Sequence, residues 1–379
     1  MSKAKTTSAT RSRAKAPAKP AAKQRTPAAA TATKTKVAPT KATATKSKLA
    51  TRKSKAAKPA ARRRATVKPA ATKAPARKTA TAKVAPAPAA AAPVADSGGE
   101  LRFQVSDGAS LYYRVWRPEG KAKRLVMLVH GFADHSGRFS YLAPHLVEHG
   151  AVVYAYDQRG NGLSEGKKGH VQRYQRLVDD LDAFVKLATE NEPGLPRVLY
   201  AHSTGAIAAL IYLYDSPDAV DAVVLSAPCL ILTVDAPGWK TGVAKALSNV
   251  VPGFTMQAGF DPGTVSRDDE VVEANKADPL VSQNMTARFY TEVYLTAMPS
   301  ALARIDELRT PYLVLQGTGD KLVSPGVADE FERQAAEYGT IKRYEGGYHE
   351  SHNDVHREEV FADVDKWLEA GAKPKRSRG

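Results

Sequence analysis

Val198-Leu199-Tyr200-Ala201-His202-Ser203-Thr204-Gly205, running straight into the apolar stretch Ala206–Tyr214, is the segment on which the reading of this chain turns. A strand that passes into a helix without a loop must nearly double back. Only small residues flanking the turning position leave room for that, and Ala201 and Gly205 are small. The turn lifts the Ser203 hydroxyl above the strand ends and sets the Thr204 N–H at a helix N-terminus beside it. Ser203 is therefore the candidate nucleophile and Thr204 a candidate oxyanion donor.

Working outward, short apolar runs alternate with helical patterns. Leu125–Val129, Ala151–Tyr156 and Val220–Leu225 read as buried strands, as do Pro311–Leu315 and Ile341–Tyr344 further on. Continuously apolar strands suit a parallel sheet covered on both faces. Between them, Val171, Tyr174, Leu177, Val178, Leu181, Phe184 and Val185 make one apolar helical stripe. The alternation predicts a mostly parallel, doubly wound α/β sheet, opened by an antiparallel hairpin of Leu101–Val105 and Leu111–Trp116. One interval breaks the rhythm: Trp239, Val243, Leu247, Val250, Val251, Phe254, Met256 and Phe260 fall between two sheet strands. It is expected to be a helical cap, about residues 229–306, with its apolar side toward substrate.

The partners that Ser203 needs follow in the same rhythm. Val129-His130-Gly131-Phe132 leaves a strand end, and the Phe132 N–H is the candidate second oxyanion donor. His130 there reads as a brace for the loop. After the strand at Pro311 comes Gly317-Thr318-Gly319-Asp320, and after Ile341–Tyr344 comes Glu345-Gly346-Gly347-Tyr348-His349. Strand, glycine turn, then Asp or His, in the chain order Ser…Asp…His, assigns His349 as general base and Asp320 as its orienting partner. His352 and His356 lie beyond the expected apex of that loop. An elbow aspartate, as a dehalogenase or epoxide hydrolase requires, is absent. Peptidase, thioesterase and perhydrolase chemistry would use the same triad and stay open, as does a polyanion-binding protein carrying a hydrolase domain.

Residues 100–370 resemble the monoacylglycerol lipase and lysophospholipase group of α/β-hydrolases, also described as serine aminopeptidase-like. The likeness rests on His130-Gly131 with Asp134-His135-Ser136-Gly137-Arg138-Phe139, and on Asp157-Gln158-Arg159-Gly160-Asn161-Gly162-Leu163-Ser164-Glu165-Gly166. The elbow, Ala277-Asp278-Pro279-Leu280-Val281 and Tyr344–His349 complete it. The resemblance implies an α/β-hydrolase fold, hydrolysis of single-chain acyl esters, no cofactor, no catalytic metal, and a cap that admits the acyl chain. Departures are Ala201 for Gly, Thr204 where Met is frequent, and Asn161 where His is usual.

Composition divides the 379 residues into two polymers. Residues 1–95 hold 25 Lys and Arg, no Asp or Glu, no aromatic residue, and Leu49 as their one leucine. Such a segment cannot bury enough apolar surface to offset roughly 1–2 kcal/mol of backbone entropy per residue, so a disordered basic tail is expected over residues 1–98. It is similar to the Lys-, Ala- and Pro-rich arms of linker histones, which suggests sequence-independent binding to nucleic acid or an anionic membrane, with a solubilising tail or a general polyanion binder as the open alternative. Downstream, 31 basic residues face 39 acidic ones, a net of −8. The hydrolase domain is expected over residues 99–371, with a short basic tail at 372–379. Cys229 is the sole cysteine, which fits a reducing compartment. Neither an apolar h-region nor a membrane-length apolar run occurs, and frequent prolines argue against a transit peptide. A cytoplasmic enzyme, held at a nucleoid or membrane surface by its tail, is the expectation.

Overall fold

The computed structural model describes residues 101–234 and 237–372. The expectations for the basic tail at 1–98 and for residues 373–379 lie outside the described residues.

Among the described residues, ten strands are found in chain order: β1 (Arg102–Gln104), β2 (Ser110–Trp116), β3 (Arg124–Val129), β4 (Ala151–Tyr156), β5 (Arg197–His202), β6 (Ala222–Ser226), β7 (Thr255–Gln257), β8 (Asn284–Thr286), β9 (Tyr312–Gly317) and β10 (Gly339–Tyr344). Eight of them form one sheet in the order β1-β2-β4-β3-β5-β6-β9-β10. The edge hairpin β1–β2 is antiparallel, β2 meets β4 antiparallel, and every later pair is parallel. This is the mostly parallel, doubly wound α/β architecture read from the sequence.

The apolar runs are continuous because both faces are covered. In β3, Leu125, Met127 and Val129 enter one core with the helices Gln175–Asn191 and Thr204–Asp215. Val126 and Leu128 enter the other, with the helices Leu142–Glu148 and Arg357–Glu369. Successive side chains point to opposite faces, so burying both faces demands apolar residues at every position.

The sheet reverses its winding at β3, which lies between β4 and β5. At such a switch point the loops leaving neighbouring strands diverge and open a crevice at the strand C-terminal ends. Val129 pairs with Ala201, so the loop beginning at His130 lies alongside the elbow beginning at His202.

One boundary differs from the sequence reading. The apolar stripe begins at Val171, but the helix begins at Gln175. Val171 is buried all the same, from a loop whose backbone is engaged elsewhere: Gly169 O accepts from Thr286 N at 2.8 Å, and Tyr174 N donates to Glu292 Oε2 at 3.1 Å. Tertiary bonds to the segment between β6 and β9 replace the first helical turn. That segment holds the helix Gly238–Val250, the small antiparallel pair β7–β8, and the helix Asp269–Ala277 capped by Asp268. It ends in a helical run over 287–303 whose middle, Tyr290–Ala297, is widened to π geometry.

Candidate active site

Ser203 has φ 52° and ψ −122°, in the left-handed half of the map that L-residues avoid. Packing around the turn holds it there. A Cβ on Gly205 would lie 2.4 Å from the His130 carbonyl oxygen, and one on Gly131 would lie 2.9 Å from Ser203 Cβ. Ala201, by contrast, is fully buried within β5 between Val129 and Leu225, so the extra methyl is accommodated in the sheet.

The loops after β5, β9 and β10 bring the three predicted residues together. The Ser203 hydroxyl lies 2.8 Å from His349 Nε2, and His349 Nδ1 lies 2.8 Å from Asp320 Oδ2. Asp320 Oδ1 accepts the N–H groups of Leu322 at 2.8 Å and Val323 at 3.0 Å, which fixes the carboxylate. Burial works against a charged His349, but the Asp320 charge and hydrogen bond outweigh it and raise the imidazole above its ordinary pKa. Since Nδ1–H donates to the carboxylate, Nε2 of the neutral ring is free to accept the serine proton. Among the described residues, no hydrogen bond takes up the backbone N–H of Phe132 or of Thr204. Both residues line the same cavity as Ser203 and His349.

Other predicted positions have structural work. His130 is fully buried; its Nε2 accepts from Gln158 N at 2.8 Å and its Nδ1 donates to Gly131 O at 2.8 Å. It braces the loop, as expected. Asp157 accepts from Ser136 N at 2.7 Å and from Leu163 N at 2.8 Å, tying two of the quoted motifs together. Asn161 bonds only within its own loop, to Arg159 O at 3.2 Å. His352 packs on Phe139 and His202, and His356 stacks on Tyr344.

The cavity above Ser203 measures about 770 Å³, within the range of small-molecule sites. Trp239, Val243, Leu247, Met256 and Phe260 from the greasy interval line it. Val250, Val251 and Phe254 do not, and they face solvent. The interval is thus apolar on two sides rather than on the substrate side alone.

The family described as serine aminopeptidase S33 matches residues 120–356. The chain belongs to it. Family relatives include the monoacylglycerol lipase of Mycolicibacterium smegmatis, 33% identical over 276 residues that cover 73% of this chain and 98% of that protein. The human monoglyceride lipase is 30% identical over 267 residues, covering 69% of this chain and 88% of that one. Among solved structures, the Paleococcus ferrophilus monoacylglycerol lipase superposes with a TM-score of 0.62 at 29% identity, covering 69% of this chain and 98% of that chain.

Within this S33 chain, a group of buried polar residues beside the triad escaped the sequence reading. Arg138 Nη2 donates to Glu350 Oε2 at 2.5 Å, and its Nε lies 3.3 Å from Asp134 Oδ1. Asn275, with its amide oxygen turned toward the guanidinium, accepts from Nη1 and Nη2 at 3.2 Å each. Burial, with the Glu350 charge adding to it, pushes the Asp134 carboxyl up to about 6. Burial would raise Glu350 too, yet Arg138 and His352 outweigh it and hold Glu350 below the ordinary range. His202 is buried against His349 and His352, and desolvation together with those two rings keeps it neutral. Asp134 and Arg138 stand four apart in a motif already quoted, and Glu350 follows His349. The convergence of Asp134, Glu350 and Asn275 on Arg138, with Asn275 lying 137 residues downstream of it, has no signal in sequence spacing.

Proposed function

We propose that this chain hydrolyses carboxylic esters of single-chain lipids, of the monoacylglycerol type, through an acyl-enzyme on Ser203. The observation that carries the reading is the Ser203–His349–Asp320 relay opening into an apolar cavity of about 770 Å³. The names of the relatives support the same substrate class.

In this reading, the Ser203 Oγ–H bond breaks toward His349 Nε2 as Oγ attacks the ester carbonyl carbon. The electron pair of the carbonyl moves onto its oxygen, which takes hydrogen bonds from the Phe132 and Thr204 N–H groups. Each such donor contributes on the order of 3 kcal/mol to the transition state. The imidazolium, stabilised by Asp320, then gives its proton to the departing alkoxide. Water repeats the sequence on the acyl-enzyme and returns free acid and Ser203. The apolar side chains from the interval between β6 and β9 act as the cap over the acyl chain, and the polar set of Asp134, Asn275 and Glu350 offers partners to a hydroxylated leaving alcohol.

The basic segment 1–95 is proposed to bind polyanions by charge alone, independently of the hydrolase domain. Its 25 positive charges without an aromatic residue support that reading.

A panel of monoacylglycerols of rising chain length, lysophospholipids, short nitrophenyl esters and aminoacyl anilides tests the substrate class. Monoacylglycerols of medium or long chain are expected to lead. Faster turnover of the aminoacyl anilides would replace this reading with the peptidase one that the family description carries.

A further inference from the structure

On the face of the sheet that carries the first and last helices, three side chains meet outside the catalytic cavity. His145, near the end of Leu142–Glu148, and His149, just past that end, stand one helical turn apart. Asp365 comes from Arg357–Glu369. His145 Nε2 lies 2.7 Å from Asp365 Oδ2, and His149 Nε2 lies 3.5 Å from the same oxygen. None of the three lines the cavity above Ser203.

The tautomers make this more than a pair of contacts. His149 Nδ1 is 2.8 Å from the His145 carbonyl oxygen, which can only accept, so Nδ1 carries a hydrogen. Nε2 is then the ring atom that His149 presents to the carboxylate oxygen already in contact with His145 Nε2. Two imidazole nitrogens and one carboxylate oxygen, from two helices, thus converge on one point where a cation would meet all three. An imidazole whose other N–H donates to a backbone carbonyl is also the usual outer arrangement of a metal-bound histidine.

We propose that His145, His149 and Asp365 form a binding site for a divalent transition metal of the zinc class. The donor atoms all lie within 4.8 Å of one another. Ligands about 2.0–2.1 Å from a tetrahedral zinc stand roughly 3.3 Å apart, so the His149 separation already fits and the His145 one has to open by a fraction of an ångström. Two imidazoles and a carboxylate select zinc, cobalt, nickel or copper over magnesium and calcium. Phe361 stacks on the His145 ring at 4.6 Å and His149 packs on it at 4.2 Å, which orients both donors in advance. His149 is half exposed, so the site opens to solvent. The metal would pin the first helix to the last, whose N-terminus follows the loop that carries His349.

The test uses the full chain without an affinity tag, with ZnCl2 followed by calorimetry and CoCl2 by visible absorption. All nine histidines lie downstream of the basic segment, so that segment adds no imidazole. Wild type is expected to take up one zinc ion and to melt at a higher temperature as zinc is added. His149→Ala and Asp365→Asn should each weaken uptake by about tenfold or more and remove the rise in melting temperature. Asp365→Asn also breaks the bond to His145 and can unfold that corner; His149→Ala, at a half-exposed position, leaves it standing. Equal zinc affinity and equal thermal shift in wild type and His149→Ala would overturn the site. So would wild-type protein that takes up no zinc.

Discussion

The loops at the ends of β5, β9 and β10 and the interval between β6 and β9 both surround Ser203, yet they are built in opposite ways. Ser203, Asp320 and His349 are each less than 8% exposed, and every polar atom of the relay has a partner. In the interval, Trp239 is 70% exposed and Val250 80%. Proton transfer needs donors and acceptors held within a few tenths of an ångström, which only a packed sheet edge provides. Gripping an acyl chain needs apolar area, which is non-directional and tolerates a looser frame. On the proposed reading, the contrast separates what would run the reaction from what would select the substrate.

The sharpest way to break that division is at the sheet ends. Ser203→Ala should lower ester turnover by roughly five to six orders of magnitude; purified variant that keeps its activity would remove Ser203 from the chemistry. His349→Ala should be nearly as severe, and Asp320→Asn should cost about 10⁴ in turnover. Loss at His352 with none at His349 would mean that the other histidine is the base.

A pH profile sharpens the same half. His349 must be neutral to accept the serine proton, and its pKa is raised in the folded site. The acid limb of kcat/KM should therefore fall as pH drops, with a midpoint above the ordinary histidine value of about 6.5. Because the Asp320 charge causes the rise, the residual activity of Asp320→Asn should show that limb at lower pH. An unmoved limb would assign it to another group.

Changes in the interval should be smaller and should depend on the substrate. Each buried methylene contributes up to about 0.8 kcal/mol, or about fourfold in kcat/KM. Leu247→Ala and Met256→Ala should lower turnover of long-chain esters by about tenfold or less and leave acetyl esters unchanged. A uniform loss across chain lengths would show that the interval shapes the catalytic geometry as well. Deleting residues 1–95 should change turnover of a soluble, uncharged ester by no more than about twofold, while binding to duplex DNA or anionic vesicles is lost. Binding by the full chain should weaken about a thousandfold or more between 50 and 200 mM salt if six or more phosphates are neutralised. Equal DNA affinity with and without the segment would withdraw it as a polyanion-binding element.

Much of this was legible because it depends on local steric rules. Ala201-His202-Ser203-Thr204-Gly205 has to be a tight strand–helix turn, and continuous apolar runs separated by helical stripes have to be covered parallel strands. Asp320 and His349 could be named because each follows a strand and a glycine turn in the expected order. The start of the helix at Gln175 was not legible, because bonds from Gly169 and Tyr174 to residues more than a hundred positions away displaced its first turn. The outward face of the interval was missed for a related reason. Periodicity marks a side chain as apolar without saying whether cavity or solvent lies opposite.

By itself, then, the sequence determined the fold class, the order of the chemical groups along the chain, and the division between a basic segment and an acidic domain. These follow from side-chain size, hydrophobic period and charge, which are properties of neighbouring residues. Only the tertiary structure decided that Arg138 would bridge Asp134, Glu350 and Asn275, that His202 would be a neutral ring between two others, and that His145 and His149 would face Asp365. Such groupings join residues up to 220 positions apart. They arise where sheet order and helix packing bring separate segments together, and no spacing along the chain encodes that meeting.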